Sequence, residues 1–105
     1  MLKFILSLLI VSGCFAPSYA EWITVETSAY TGVETYSNPT ATGEIPYEGG
    51  VACNFLPLGT KIQIDGIDYI VNDICGIDGC VDIFMHDYQR AIEWGRRVKQ
   101  VFIYR

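Results

Sequence analysis

The chain has 105 residues, half of them hydrophobic, and carries seven Lys and Arg against twelve Asp and Glu. That acidic balance excludes a nucleic-acid binder, which needs a basic face. The length allows one small domain and no second.

Residues 1 to 20, MLKFILSLLIVSGCFAPSYA, carry one Lys, an apolar run and a small-residue end, the pattern of an export signal cleaved after Ala20. The run is too short to span a membrane as a helix. The domain is therefore expected over residues 21 to 105, where loss of Lys3 leaves six bases against twelve acids, a net charge of −6. A secreted or periplasmic monomer is the expectation. A second cleavage pattern competes with the first, because Val11-Ser12-Gly13-Cys14 reads as a lipobox. A lipid on Cys14 would anchor the domain to a membrane.

WITVETSAY (22 to 30) alternates apolar and polar residues, as a half-buried strand does, and 31 to 50 are rich in Gly, Thr, Pro and Ser, as a long irregular loop would be. VACNF (51 to 55) is a short buried run. KIQI and IDYIVND read as two strands joined at Asp65-Gly66, a dipeptide that tolerates the positive φ angles of a tight hairpin. VDIFM is a further strand. DYQRAIEW is the one plausible helix, with Asp87 as its cap, Tyr88, Ala91 and Ile92 at helical spacing, and Gly95 at its end. VKQVFIY closes the chain as a strand.

Between the central strands lies NDICGIDGCVDIF (72 to 84), which holds three aspartates and two cysteines around a tight loop. An exported domain meets an oxidising compartment, so at least one disulfide is expected among Cys53, Cys75 and Cys80. Cys75 and Cys80 could staple the loop, and a pairing of either with Cys53 stays open on spacing alone. No cofactor is expected. Asp73, Asp78 and Asp82 lack the regular alternation and closing glutamate of a calcium loop, so no metal is expected either.

TSAYT, TATG, GGVAC, LPLGTKIQI, YIVND, VDIF and AIEWGRRVKQVFIY occur in the order and approximate spacing of the 3D (three-aspartate) domain. The chain resembles that family, which is similar to the catalytic barrel of membrane-bound lytic transglycosylase A. The resemblance implies a mainly β fold, a six-stranded double-psi β-barrel with one short helix. It also implies cleavage of peptidoglycan glycan strands, with Asp82 as the acid catalyst and Asp73 as the second family aspartate. Where the family has its first aspartate this chain reads Val51-Ala52-Cys53-Asn54, with Asn54 as the stand-in. The loop from Asp73 to Asp82 is also shorter than the family's and carries Cys75 and Cys80.

The chemistry of the residues fits a carboxylic acid role. A glycosidase must protonate the leaving oxygen, and a hydrolase adds a second carboxylate for water or for the sugar carbon. A lytic transglycosylase manages with one, which gives its proton to the leaving group and takes another from the muramic acid 6-hydroxyl. Asp82 would then be partly protonated near neutral pH, against a free value of about 3.9. A like charge on Asp73 and partial burial push that way. Asn54 could orient the pair through its amide. Arg96 and Arg97 could bind the lactyl carboxylate of muramic acid or form, with Lys99, a solvated basic strip. Tyr30, Tyr36 and Tyr47 could stack on sugar rings.

Blander readings stand beside these. Turn aspartates often do no more than accept backbone hydrogen bonds, and His86 reads as an exposed residue before the helix. A non-catalytic module is the alternative function, since expansin-like and rare lipoprotein A-like barrels engage wall polysaccharide through a similar aspartate-containing groove. DICGIDGC looks somewhat like their cysteine-bearing loop, whereas AIEWGRR favours the 3D group.

Overall fold

A computed structural model describes residues 20–32 and 39–104. The expected signal, Cys14 and Tyr36 lie outside them. Six strands and one helix follow in chain order: β1 (Ala20–Tyr30), β2 (Gly50–Ala52), β3 (Lys61–Ile64), β4 (Ile67–Asp73), β5 (Cys80–Phe84), α1 (Tyr88–Trp94) and β6 (Arg97–Tyr104). The strands close into a barrel in the order β1-β5-β2-β4-β3-β6. This is the mainly β barrel with one short helix that the sequence led us to expect. Two of its contacts, β1 with β5 and β2 with β4, are parallel, and the others are antiparallel.

Period-two patterning builds the interior. Val25 of β1, Val51 of β2, Ile62 and Ile64 of β3, Val71 of β4, Val81 and Ile83 of β5, and Val101 and Ile103 of β6 form one buried cluster. β-branched side chains dominate because they suit a pleated wall and lose little rotamer freedom there. On the outside of β6, Phe102 stacks edge-on between Trp22 and Tyr104, with ring centroids 4.9 and 5.1 Å away. That row covers the seam where the last strand closes on the first.

The punctuation falls where its chemistry requires. Asp65 (φ 52°) and Gly66 (φ 80°) make the β3–β4 turn, both in the left-handed region. Asp87 caps α1, its carboxylate accepting from the N–H groups of Gln89 and Arg90, and Gly95 ends the helix at φ 60°. The helix face differs from the one expected. Ala91 is its buried residue, and Tyr88 and Ile92 are 51% and 53% exposed. A seven-residue helix touches the barrel along a narrow line, and Trp94 supplies the rest of the contact. The run 51–55 is buried only as far as Cys53, since Asn54 and Phe55 lie beyond β2 and are exposed.

One irregularity sets the wall that matters for function. Gly50 pairs with Ile70 and Val51 with Val71, but Ala52 pairs with Asp73, so Asn72 is an extra residue in β4, a β-bulge. The Asn72 side chain is fully buried against Gly50, where an added Cβ would lie 2.5 Å from Nδ2. Only glycine fits there. Gly50→Ala is expected to cost about 1–3 kcal/mol by overpacking, read as a lower denaturant midpoint with an unchanged slope.

Candidate functional site

Strand pairing gathers the site. Ser28 of β1 lies beside Asp82 of β5, Asp82 is opposite Ala52 of β2, and Ala52 is beside Asp73 of β4. Paired residues point to the same face of a sheet, so these four form a row across the outer wall. The bulge is what admits Asp73, because a regular register would put Asn72 opposite Ala52 instead. Neighbouring strands lie about 4.8 Å apart, and Ala52 stands between the aspartates. Its small side chain is 5% exposed, covered by the neighbours it packs with, so the two carboxylates flank an apolar spot.

Both carboxylates are half-buried and held. Ser28 Oγ donates to Asp82 Oδ1 at 2.9 Å. Asp73 Oδ1 accepts from the backbone N–H groups of Ala41 and Ile74, each at 2.9 Å. The first of those bonds ties the loop before β2 to the end of β4. Two aspartates with different partners are set for different tasks: Asp82 holds a side-chain hydroxyl that can rotate, and Asp73 is locked to the backbone.

A second apolar cluster backs the row, made of Tyr30, Ala52, Cys75, Cys80 and Phe84. Tyr30 is 9% exposed and packs edge-on against Phe84 at 5.3 Å. What it turns toward the site is therefore its hydroxyl, not a ring face. That hydroxyl is buried and has no hydrogen-bond partner, an omission that typically costs about 1–3 kcal/mol. Burial, then the charges of Asp73 and Asp82 and the nearby Cys75 thiol, push the phenol far above its ordinary range. The phenol is thereby favoured in its neutral form, which can donate.

The cysteines divide between the two sides of the wall. Cys53 lies in the barrel interior, and Cys75 and Cys80 lie in the outer cluster. All three are free thiols here, so the expected disulfide is absent from this structure. Cys75 and Cys80 instead lie near each other in the same cluster. Cys80 Sγ also lies 3.5 Å from Ser28 Oγ, and Cys75 Sγ accepts from the Ile77 N–H at 3.4 Å. Burial is the main cause pushing the Cys75 thiol up, with Cys80 and Asp82 adding to it against the Ile77 bond. Cys53 packs in a different cluster from Cys75 and Cys80, which share one.

The remaining candidates separate. Asn54 is exposed, and its amide donates to Asp78 Oδ1 at 2.6 Å rather than to Asp73 or Asp82. It pins the short cysteine-bearing loop from outside. Arg96 lies 3.5 Å from Glu26 and lines a groove of about 310 Å³ between β1 and α1, along with Ser28, Thr31, Tyr88 and Ile92. Ser28 joins that groove to Asp82. Arg97 faces elsewhere: its guanidinium donates to the carbonyls of Trp94 and Glu93 at 2.9 and 3.1 Å and lies over the Trp94 ring at 4.6 Å. It finishes the helix C-terminus, where a cation is favoured. His86 is exposed, as expected, with its ring edge-on to Phe84. Tyr47 is half-buried beside Gly49.

Ser28, Ala52 and the Ala41 N–H are site groups that motif reading passed over. Ser28 had a signal, since it shares the polar side of WITVETSAY with Glu26 and Tyr30. Ala41 had none, because any residue brings a backbone N–H. Among the described residues no cluster of His, Cys, Asp and Glu gathers to hold a metal ion. No protein-family model and no curated protein matches the chain.

Two measurements follow from this geometry. Cys75 and Tyr30 have folded values above their ordinary 9.0 and 10.0, so each favours the folded state fully below its ordinary value and loses that contribution as pH rises toward the folded one. The thermal midpoint should hold to about pH 9 and then fall, and Tyr30→Phe should lessen the fall above pH 10. Under mild oxidation with diamide, peptide mapping should recover Cys75 linked to Cys80 and leave Cys53 as the free thiol. A bridge to Cys53 would contradict the division of the cysteines across the wall.

Proposed function

We propose that the protein is an exported, lytic transglycosylase-like enzyme that cleaves murein glycan strands, with Asp82 as its single acid and base. One observation carries the reading: a half-buried carboxylate bonded to the rotatable Ser28 hydroxyl, a residue that itself lines a groove with Arg96 on its edge. In the first step the Asp82 proton goes to the glycosidic oxygen as the bond to the anomeric carbon breaks. In the second the muramic acid 6-hydroxyl attacks that carbon and returns its proton to Asp82, closing a 1,6-anhydro ring without water. The ordered sequence motifs of the 3D group support the same chemistry. Arg96 lines the groove and Arg97 does not, which supports Arg96 as the residue for the lactyl carboxylate. Glu26 would release it at the cost of an exposed ion pair, which is worth little.

The placement of Asn54 favours keeping a second reading. An amide that bonds Asp78 leaves the catalytic row without a substitute for the family's first aspartate. A barrel with that row incomplete suits an expansin-like module that holds wall polysaccharide without cutting it.

Residues 21 to 105 incubated with murein sacculi are expected to release muropeptides ending in 1,6-anhydromuramic acid, detected by mass spectrometry. Asp82→Asn keeps the shape and the Ser28 contact but cannot transfer a proton, so turnover should fall at least a hundredfold while sacculus binding persists. Asp73→Asn should cost less, since it leaves the proton donor in place. Binding without released fragments from the unaltered domain would favour the expansin-like module, and reducing ends in place of anhydro ends would mean hydrolysis.

A further inference from the structure

Every other polar side chain in the carboxylate row has a partner, whereas the Tyr30 hydroxyl is buried and unpartnered. We infer that Tyr30 is a positioning residue of the site, whose hydroxyl donates to the Asp82 carboxylate once that group has lost its proton. The inference rests on Asp82 being the acid.

The register supplies the reach. Tyr30 pairs with Phe84 and Ser28 with Asp82, so Tyr30 is the diagonal neighbour of Asp82 on the same face of two parallel strands. A diagonal pair of this kind lies within reach of an aromatic side chain. The ring is fixed by its edge-on contact with Phe84, and the strand is fixed where the Met85 N–H donates to the Tyr30 carbonyl at 2.9 Å. The hydroxyl is thus held on the face that carries Asp82, buried and with its donor unused.

Charge decides when it forms. Asp73, Asp82 and Cys75 surround the phenol, and Cys80 is linked to Asp82 through Ser28. None of these is a cation, so the phenol keeps its proton and acts only as a donor. Asp73 already accepts two backbone N–H groups on one oxygen. Asp82 is the acceptor whose demand changes during turnover. Protonated, it offers the phenol a weak acceptor; ionised after protonating the leaving oxygen, it offers a strong one. A bond that strengthens as the proton departs lowers the barrier without tightening substrate binding.

The test uses residues 21 to 105 with carboxyl-labelled aspartate, following Asp82 by carbon NMR through a pH titration, assigned from Asp82→Asn. Tyr30→Phe removes only the hydroxyl. The expected result is an Asp82 midpoint raised by about one pH unit, with kcat on sacculi lowered about tenfold or more at unchanged KM. Site-specific 3-fluorotyrosine at position 30 keeps the ring and makes the hydroxyl a stronger donor, so it should move the midpoint downward. An Asp82 midpoint that neither replacement moves overturns the inference, even if kcat falls. Because the titration needs no turnover, a domain inactive on sacculi would remove the enzymatic reading while this contact is still decided by the midpoint.

Discussion

The bulge at Asn72 is the constraint on which the site depends. Without it the parallel pairing of β2 with β4 would run in register and set an amide opposite Ala52. With it, β4 gains one residue, and an aspartate takes that place in a row that continues through Ala52 and Asp82 to Ser28. Gly50 makes this possible, since the displaced Asn72 side chain occupies the space a Cβ would need. The structure therefore accepts a buried amide with neither polar atom bonded among the described residues. That local cost sits directly behind the carboxylates, where backbone irregularities of this kind commonly re-aim side chains.

The barrel wall has two apolar sides at this point. β5 buries Val81 and Ile83 inward, and it also buries Cys80 and Phe84 outward beneath Tyr30 and the loop carrying Cys75. Asp82 is the half-buried exception between them. Dry surroundings on both sides strengthen every electrostatic contact of that carboxylate. They also keep the Tyr30 phenol and the Cys75 thiol in their neutral forms. The loop holds position through Asn54 on Asp78 and through the Ile77 bond to Cys75, so its shape does not require a disulfide.

The two consecutive arginines illustrate how a short helix divides labour. Gly95 turns the chain at the end of α1, after which Arg96 swings toward β1 and the groove, and Arg97 folds back on Trp94. Trp94 in turn donates to Thr27 inside the barrel at 3.0 Å, and Thr27 Oγ1 donates to the Arg97 carbonyl at 2.8 Å. Arg97 is thus bound into the framework that leaves Arg96 available at the groove.

The sequence by itself determined the elements whose causes are local. Alternation of apolar residues marked β1, the Asp65-Gly66 pair marked the hairpin of β3 and β4, and Asp87 and Gly95 marked the helix ends, because each depends on neighbours a few positions away. It also singled out Asp73 and Asp82 as residues to watch. Tertiary structure decided what lies beside them. Ser28 and Asp82 are 54 positions apart, and Ala41 and Asp73 are 32 apart, and such meetings follow from strand order and register, which no short pattern encodes. The bulge that aligns the row arises between β2 and β4, not within either sequence. For the same reason adjacent arginines diverged, Asn54 turned to Asp78, Tyr30 was buried in the outer cluster, and Cys53 joined a different cluster from Cys75 and Cys80.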